Sequence, residues 1–70
     1  MLICLGENIR RLRIANGITQ EQFGYEMGVS AQAVSRWEKG ATYPDITMLP
    51  MIADFFDVTL DELMGRGREL

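Results

Sequence analysis

The stretch from Thr19 to Gly40, TQEQFGYEMGVSAQAVSRWEKG, constrains the fold more than any other part of this chain. It packs two helix starts and two helix stops into a short span. Thr19 stands three residues before Gln22, the spacing of a capping box, in which each side chain satisfies a free N–H of the other's backbone. Ile18 and Phe23 flank that start in staple positions, and Val29 and Val34 do the same around Ser30. Gly28 offers a positive φ where the chain must turn sharply. Gly40 stands where a left-handed cap would close the second helix. The pattern predicts two short helices joined by a tight corner.

Two further features sharpen this reading. Gly24 falls inside the first of these helices, where glycine costs roughly 0.5–1 kcal/mol against alanine. A close crossing of the two helices would explain it; alanine should fit there and a branched side chain should not. On the second helix, Val34 and Trp37 share one side at 3.6 residues per turn. Gln32 and Arg36 share the other, flanked by Ser35 and Lys39. Alone, such a face is ordinary solvated surface. On a short helix held out by a tight turn, it also suits the major groove, where Gln matches the edge of adenine and Arg that of guanine.

The flanking sequence supplies three more helices. Leu5, Ile9 and Leu12 give a helical face over about Leu5 to Ala15, stopped by Asn16-Gly17. Residues 41–46 carry turn chemistry. A fourth helix follows, with Leu49, Ile52, Ala53 and Phe56 turned inward. Pro50 would break a helix interior, so a late start near Met48 or an irregular first turn is expected, with Thr47 as cap. Thr59 and Glu62 form a last capping box, with Val58 and Leu63 as its staple. The fifth helix is short and ends at Gly65. Residues 1–64 are expected to form one domain and residues 65–70, which lack apolar anchors, a mobile tail.

Composition bounds the function. Hydrophobic residues make up 47% of the 70, enough for a small core without staples. The single cysteine, Cys4, excludes an internal disulfide framework and suits a reducing compartment. No stretch is apolar enough to span a membrane, and the start of the chain is too short and uncharged for a signal peptide. A cytoplasmic location is expected. There is no histidine, no metal-ligand cluster and no nucleophile–base pair, so no enzymatic activity, metal or cofactor is expected. The five methionines read as gap-filling residues.

The net charge of −3 disfavours a polyanionic partner at first sight, but it is unevenly placed. Residues 1–40 hold five basic groups (Arg10, Arg11, Arg13, Arg36, Lys39) and four acidic ones (Glu7, Glu21, Glu26, Glu38). Residues 41–70 hold two basic and six acidic groups. The acidity thus lies outside the helix-turn-helix, where it favours solubility without facing phosphate.

Taken together, several segments resemble the phage-repressor/Cro-type, or XRE-type, helix-turn-helix proteins. They are Ile9 with Leu12-Arg13, Gly17-Ile18-Thr19-Gln20, Gly28-Val29-Ser30, Val34 to Gly40, Tyr43-Pro44-Asp45, and Val58 to Leu63. The resemblance covers about residues 5 to 64. It implies an all-α fold, a compact five-helix bundle of the lambda-repressor-like type with the motif formed by helices 2 and 3. It also implies binding to double-stranded operator DNA, usually an inverted repeat occupied by a homodimer, and a role in transcription regulation, here read as repression. Base reading would fall to Ala31, Gln32, Ser35 and Arg36. Phosphate contacts would come from Gln20, Ser30, Lys39, Tyr43 and Arg10. Arg13 resembles the family arginine that pairs with a glutamate near the end of the recognition helix, here Glu38, a structural tie alongside Gly24 and Gly28. Ala31 departs from the family, where a polar residue is common; it could still meet a thymine methyl. An alternative from another class is a protein-interaction module such as an antitoxin-like subunit. It draws on the acidic C-terminal half and would be supported by exposure of Met51, Phe55 and Met64. The chain is read either as a complete small regulator or as the DNA-binding part of a longer one.

Overall fold

Helix α1 (Leu5–Ala15) buries Leu5 and Ile9 and stops where Gly17 turns left-handed at φ 69°. The computed structural model describes residues 4–65, and all regular structure among them is helical. The order is α1, α2 (Gln20–Met27), α3 (Ala31–Lys39), a single 3-10 turn (Ile46–Met48), α4 (Leu49–Phe56) and α5 (Leu60–Met64).

The caps explain these bounds. At α2 the Thr19 hydroxyl accepts from the Gln22 N–H at 3.0 Å, and the Thr19 N–H donates to Gln22 Oε1 at 2.8 Å. At α3 the Ser30 hydroxyl accepts from the Ala33 N–H at 3.1 Å. At α5 Thr59 and Glu62 repeat the reciprocal pair at 3.0 and 2.9 Å. The stops are equally regular. Gly28 has φ 77° and Gly40 φ 78°, and the next residue reaches back to a carbonyl of the last turn, Val29 N–H to Gly24 and Ala41 N–H to Arg36. These are Schellman closures. Helix α4 closes the same way without glycine: Asp57 takes φ 60° and Val58 N–H donates to the Ala53 carbonyl at 3.0 Å.

Two expectations need correction. Helix α4 does start late, after an irregular first turn, and Pro50 sits in its opening turn where its missing N–H does no harm. Thr47, however, does not cap it. Its hydroxyl donates to Asp45 Oδ2 at 2.6 Å inside the 3-10 turn, and Met48, the residue before α4, offers no side-chain cap. The second correction concerns Gly24. A Cβ there would lie 2.7 Å from the Val29 carbonyl oxygen and 3.3 Å from Ser30. The close approach is therefore to the corner itself, and even alanine does not fit without a backbone shift.

The core draws on every helix. Phe23, fully buried, stacks on Phe56 at 5.2 Å and meets Trp37 edge-on at 6.5 Å. Ile9, Val34, Ile52 and Leu63 complete the interior at 0% exposure. Asn8 donates to the Leu63 carbonyl at 3.0 Å and so fastens the end of α5 to α1. The expected tail, 65–70, lies outside the described residues except for Gly65, which ends α5 at φ 85°.

Candidate nucleic-acid interface

Helix α3 is held by its inner face. Val34 and Trp37 are buried, while Gln32, Arg36 and Lys39 are exposed. Ala31 and Ser35 are half-buried between these faces. Gln32 and Arg36 lie about 6 Å apart along the axis, close to two base steps of about 3.4 Å. One insertion of the helix could therefore bring both to base edges. Among the described residues neither Arg36 nor Lys39 forms an ion pair, so both charges are available.

The expected phosphate residues are placed less uniformly. Lys39 ends α3, and Tyr43 is 62% exposed in the loop that follows. Ser30 is exposed, but its oxygen is engaged as the cap of α3. Gln20, the first residue of α2, is half-buried and donates its amide to Glu38 Oε1 at 3.1 Å. Arg10 is exposed on α1, and its side chain has no hydrogen-bond partner among the described residues.

Electrostatics around α3 are favourable to an anion despite the net charge. Glu38 is the one acidic residue of the helix. Arg13 covers it from α1, Nε to Oε2 at 2.7 Å and Nη2 to Oε1 at 3.0 Å, and also donates to the Ile18 carbonyl at 3.0 Å. Both residues are half-buried, with their side chains mostly shielded from solvent at exposures of 12% and 4%. The hydrogen bond to Glu38 raises the Arg13 pKa above its ordinary value, against the opposing effect of burial, so the guanidinium stays charged. Glu7 is answered by Arg11 at 3.6 Å on the exposed side of α1.

Sequence reasoning missed Gly6. A Cβ there would overlap the Trp37 carbonyl oxygen and lie 3.3 Å from the Glu38 carbonyl carbon, so α1 crosses α3 backbone to backbone at this point. A glycine one residue into an apolar helix face was the available signal. Elsewhere, no group of three His, Cys, Asp or Glu side chains among the described residues could hold a metal ion. No described helix is long and apolar enough to cross a membrane.

A family model described as helix-turn-helix matches residues 9–63, from the middle of α1 to the core of α5. The chain belongs to this helix-turn-helix family. It is 44% identical over 64 residues to the HTH-type transcriptional activator BcrR of Enterococcus faecalis, covering 91% of this chain and 31% of that protein. It is 35% identical over 60 residues to the transcriptional repressor RstR of the cryptic phage CTXphi in Vibrio cholerae, covering 86% of this chain and 54% of that one. The chain thus spans about a third to a half of the length of these relatives. The P22 c2 repressor, whose crystal structure is in complex with a synthetic operator, matches with a TM-score of 0.80 at 32% identity, over 93% of this chain and 96% of that one. The all-α, five-helix fold of the lambda-repressor-like type is thereby established.

Proposed function

We propose that this helix-turn-helix domain is the operator-reading part of a transcriptional regulator, working in the cytoplasm as a binding module without catalysis. One observation carries the reading: α3 exposes Gln32 and Arg36 on the side opposite its buried Val34 and Trp37, with both ends of the helix fixed by caps. A rigid helix with that outward face reads the major groove. Gln32 and Arg36 supply the directional hydrogen bonds, Ala31 and Ser35 the closer contacts, and Lys39, Tyr43, Gln20, Ser30 and Arg10 the phosphate contacts.

The P22 c2 repressor is seen on operator DNA, which supports the same partner here. Two copies on an inverted repeat would place their α3 helices about 34 Å apart, one turn of DNA. BcrR is named an activator and RstR a repressor, so the fold accommodates either sign. Repression follows where the operator overlaps the promoter.

In vitro selection from a random DNA pool tests the reading directly. Enrichment of an inverted repeat is the expected result; a pool that stays random through successive rounds would remove operator reading. The protein-interaction alternative draws on the exposure of Met51 at 48% and Phe55 at 39%, although Phe55 also packs on Phe23 and Phe56, and Met64, the third residue expected to be exposed, is instead half-buried against the core. Salt separates the two, because phosphate contacts release counterions and weaken steeply as salt rises.

A further inference from the structure

One carboxylate serves two neighbouring helices. Glu38 Oε1 accepts from Arg13 Nη2 at 3.0 Å and from Gln20 Nε2 at 3.1 Å, while Oε2 takes Arg13 Nε at 2.7 Å. Gln20 has two amide N–H donors, and the second has no partner among the described residues. We infer that Glu38 is a positioning residue for the DNA backbone: it fixes the Gln20 amide so that the remaining N–H is presented to phosphate. The inference rests on the operator reading above and adds to it a residue that never touches DNA.

The physical case has two parts. A free glutamine loses side-chain entropy when it docks on phosphate, whereas one already held loses little. A bare carboxylate behind a phosphate contact would repel the ligand. Here the Arg13 guanidinium cancels that charge through a two-pronged contact, so Glu38 can orient the amide without opposing the anion. Arg13, Glu38 and Gln20 therefore act as one unit spanning α1, α3 and α2.

The test compares the loss caused by Gln20→Ala in two backgrounds. One is the parent chain; the other carries Arg13→Met with Glu38→Leu, an apolar exchange that leaves no unpaired buried charge. Affinity is measured for the selected operator and for a random-sequence duplex, below the melting temperature of each variant. In the parent, Gln20→Ala should weaken both duplexes about fivefold, the worth of one hydrogen bond. In the apolar background, where the amide is no longer held, the same change should cost less than about twofold. An equal loss in both backgrounds overturns the inference and leaves operator reading intact. If the parent binds neither duplex, both fall. Should the apolar pair fail to fold, the side-chain NH2 signals of Gln20 in the parent decide. Added duplex should shift the proton facing phosphate and leave the one on Glu38 in place. Equal shifts of both, or none, overturn the inference.

Discussion

Gly6 of α1 lies directly against the backbone carbonyl of Trp37 in α3, so closely that a methyl group on Gly6 would overlap that oxygen. Helix α3 is thus seated on α1 by backbone contact, with Arg13 and Glu38 fastening the same two helices from the side.

Alanine at Gly6 should therefore destabilise the fold, although alanine is the better helix former by roughly 0.5–1 kcal/mol. Opening a packed crossing typically costs about 1–3 kcal/mol, and here the obstacle is backbone, so the upper end is expected. Gly24→Ala should also destabilise, by less, because its nearest backbone atom is 2.7 Å away and a small shift of the corner relieves it. Thermal melts rank the two. A Gly6→Ala variant melting at or above the parent temperature would show that the crossing is looser than described.

Asp57 offers a gain in stability. It is the one non-glycine residue at positive φ among the described residues, and it closes α4 where the helix dipole disfavours a negative charge. Asp57→Gly removes both penalties and should stabilise by about 1 kcal/mol. Gly40→Ala, at φ 78°, introduces the backbone penalty alone and should destabilise by roughly 1 kcal/mol. Urea unfolding of the pair checks the sign. Two shifts in the same direction would mean that the left-handed caps do not govern these helix ends.

The Arg13–Glu38 pair is buried enough for its loss to matter. Removing one partner leaves a charge without its counterion, and because the pair is only part-buried the cost should fall below the roughly 3–5 kcal/mol of a fully buried pair. Removing both should cost less than the sum of the single changes. A double-mutant cycle in denaturant measures the coupling, and a value near zero would mean that the tie contributes only through packing.

Much of this architecture is legible in the chain because it is local. A capping box needs only Thr19 and Gln22, or Thr59 and Glu62, at the right spacing, and Gly28 and Gly40 mark turns that few other residues can make. The end of α1 at Ala15 follows from Asn16-Gly17 in the same way, whereas its start rests on the spacing of Leu5, Ile9 and Leu12, since Cys4 makes no side-chain cap. What escaped reading depends on distant backbone. Gly6 looks like any weak helix residue until α3 is laid across it. The position of Gly24 suggests a helix crossing, whereas a Cβ there would face the carbonyl of Val29. Thr47 has the chemistry of a cap, but Asp45 two residues earlier competes for its hydroxyl and wins. At the interface, the outward face of α3 could be read from its periodicity. The engagement of Gln20 by Glu38 could not, since the two are 18 residues apart and meet only through the corner.

The division of labour on α3 gives the last prediction. Arg36 is exposed one turn beyond Gln32, with no carboxylate to hold it among the described residues, and its forked donors match the two acceptors of guanine. Lys39 ends the helix; on the proposed operator reading it would meet the phosphate wall of the groove, where an ammonium acts as a point charge. Arg36→Ala should lose roughly 1–3 kcal/mol on the selected operator and relax preference at one base position. Lys39→Ala should weaken all sequences about equally and lower the salt slope by roughly one unit. Both variants lose one positive charge, so a difference between them cannot come from net charge. Binding curves on the operator, on its single-base variants and at several salt concentrations separate the two effects. If Arg36→Ala weakens all sites alike while Lys39→Ala changes base preference, the reading face lies toward the end of α3 and the assignment of Gln32 and Arg36 fails.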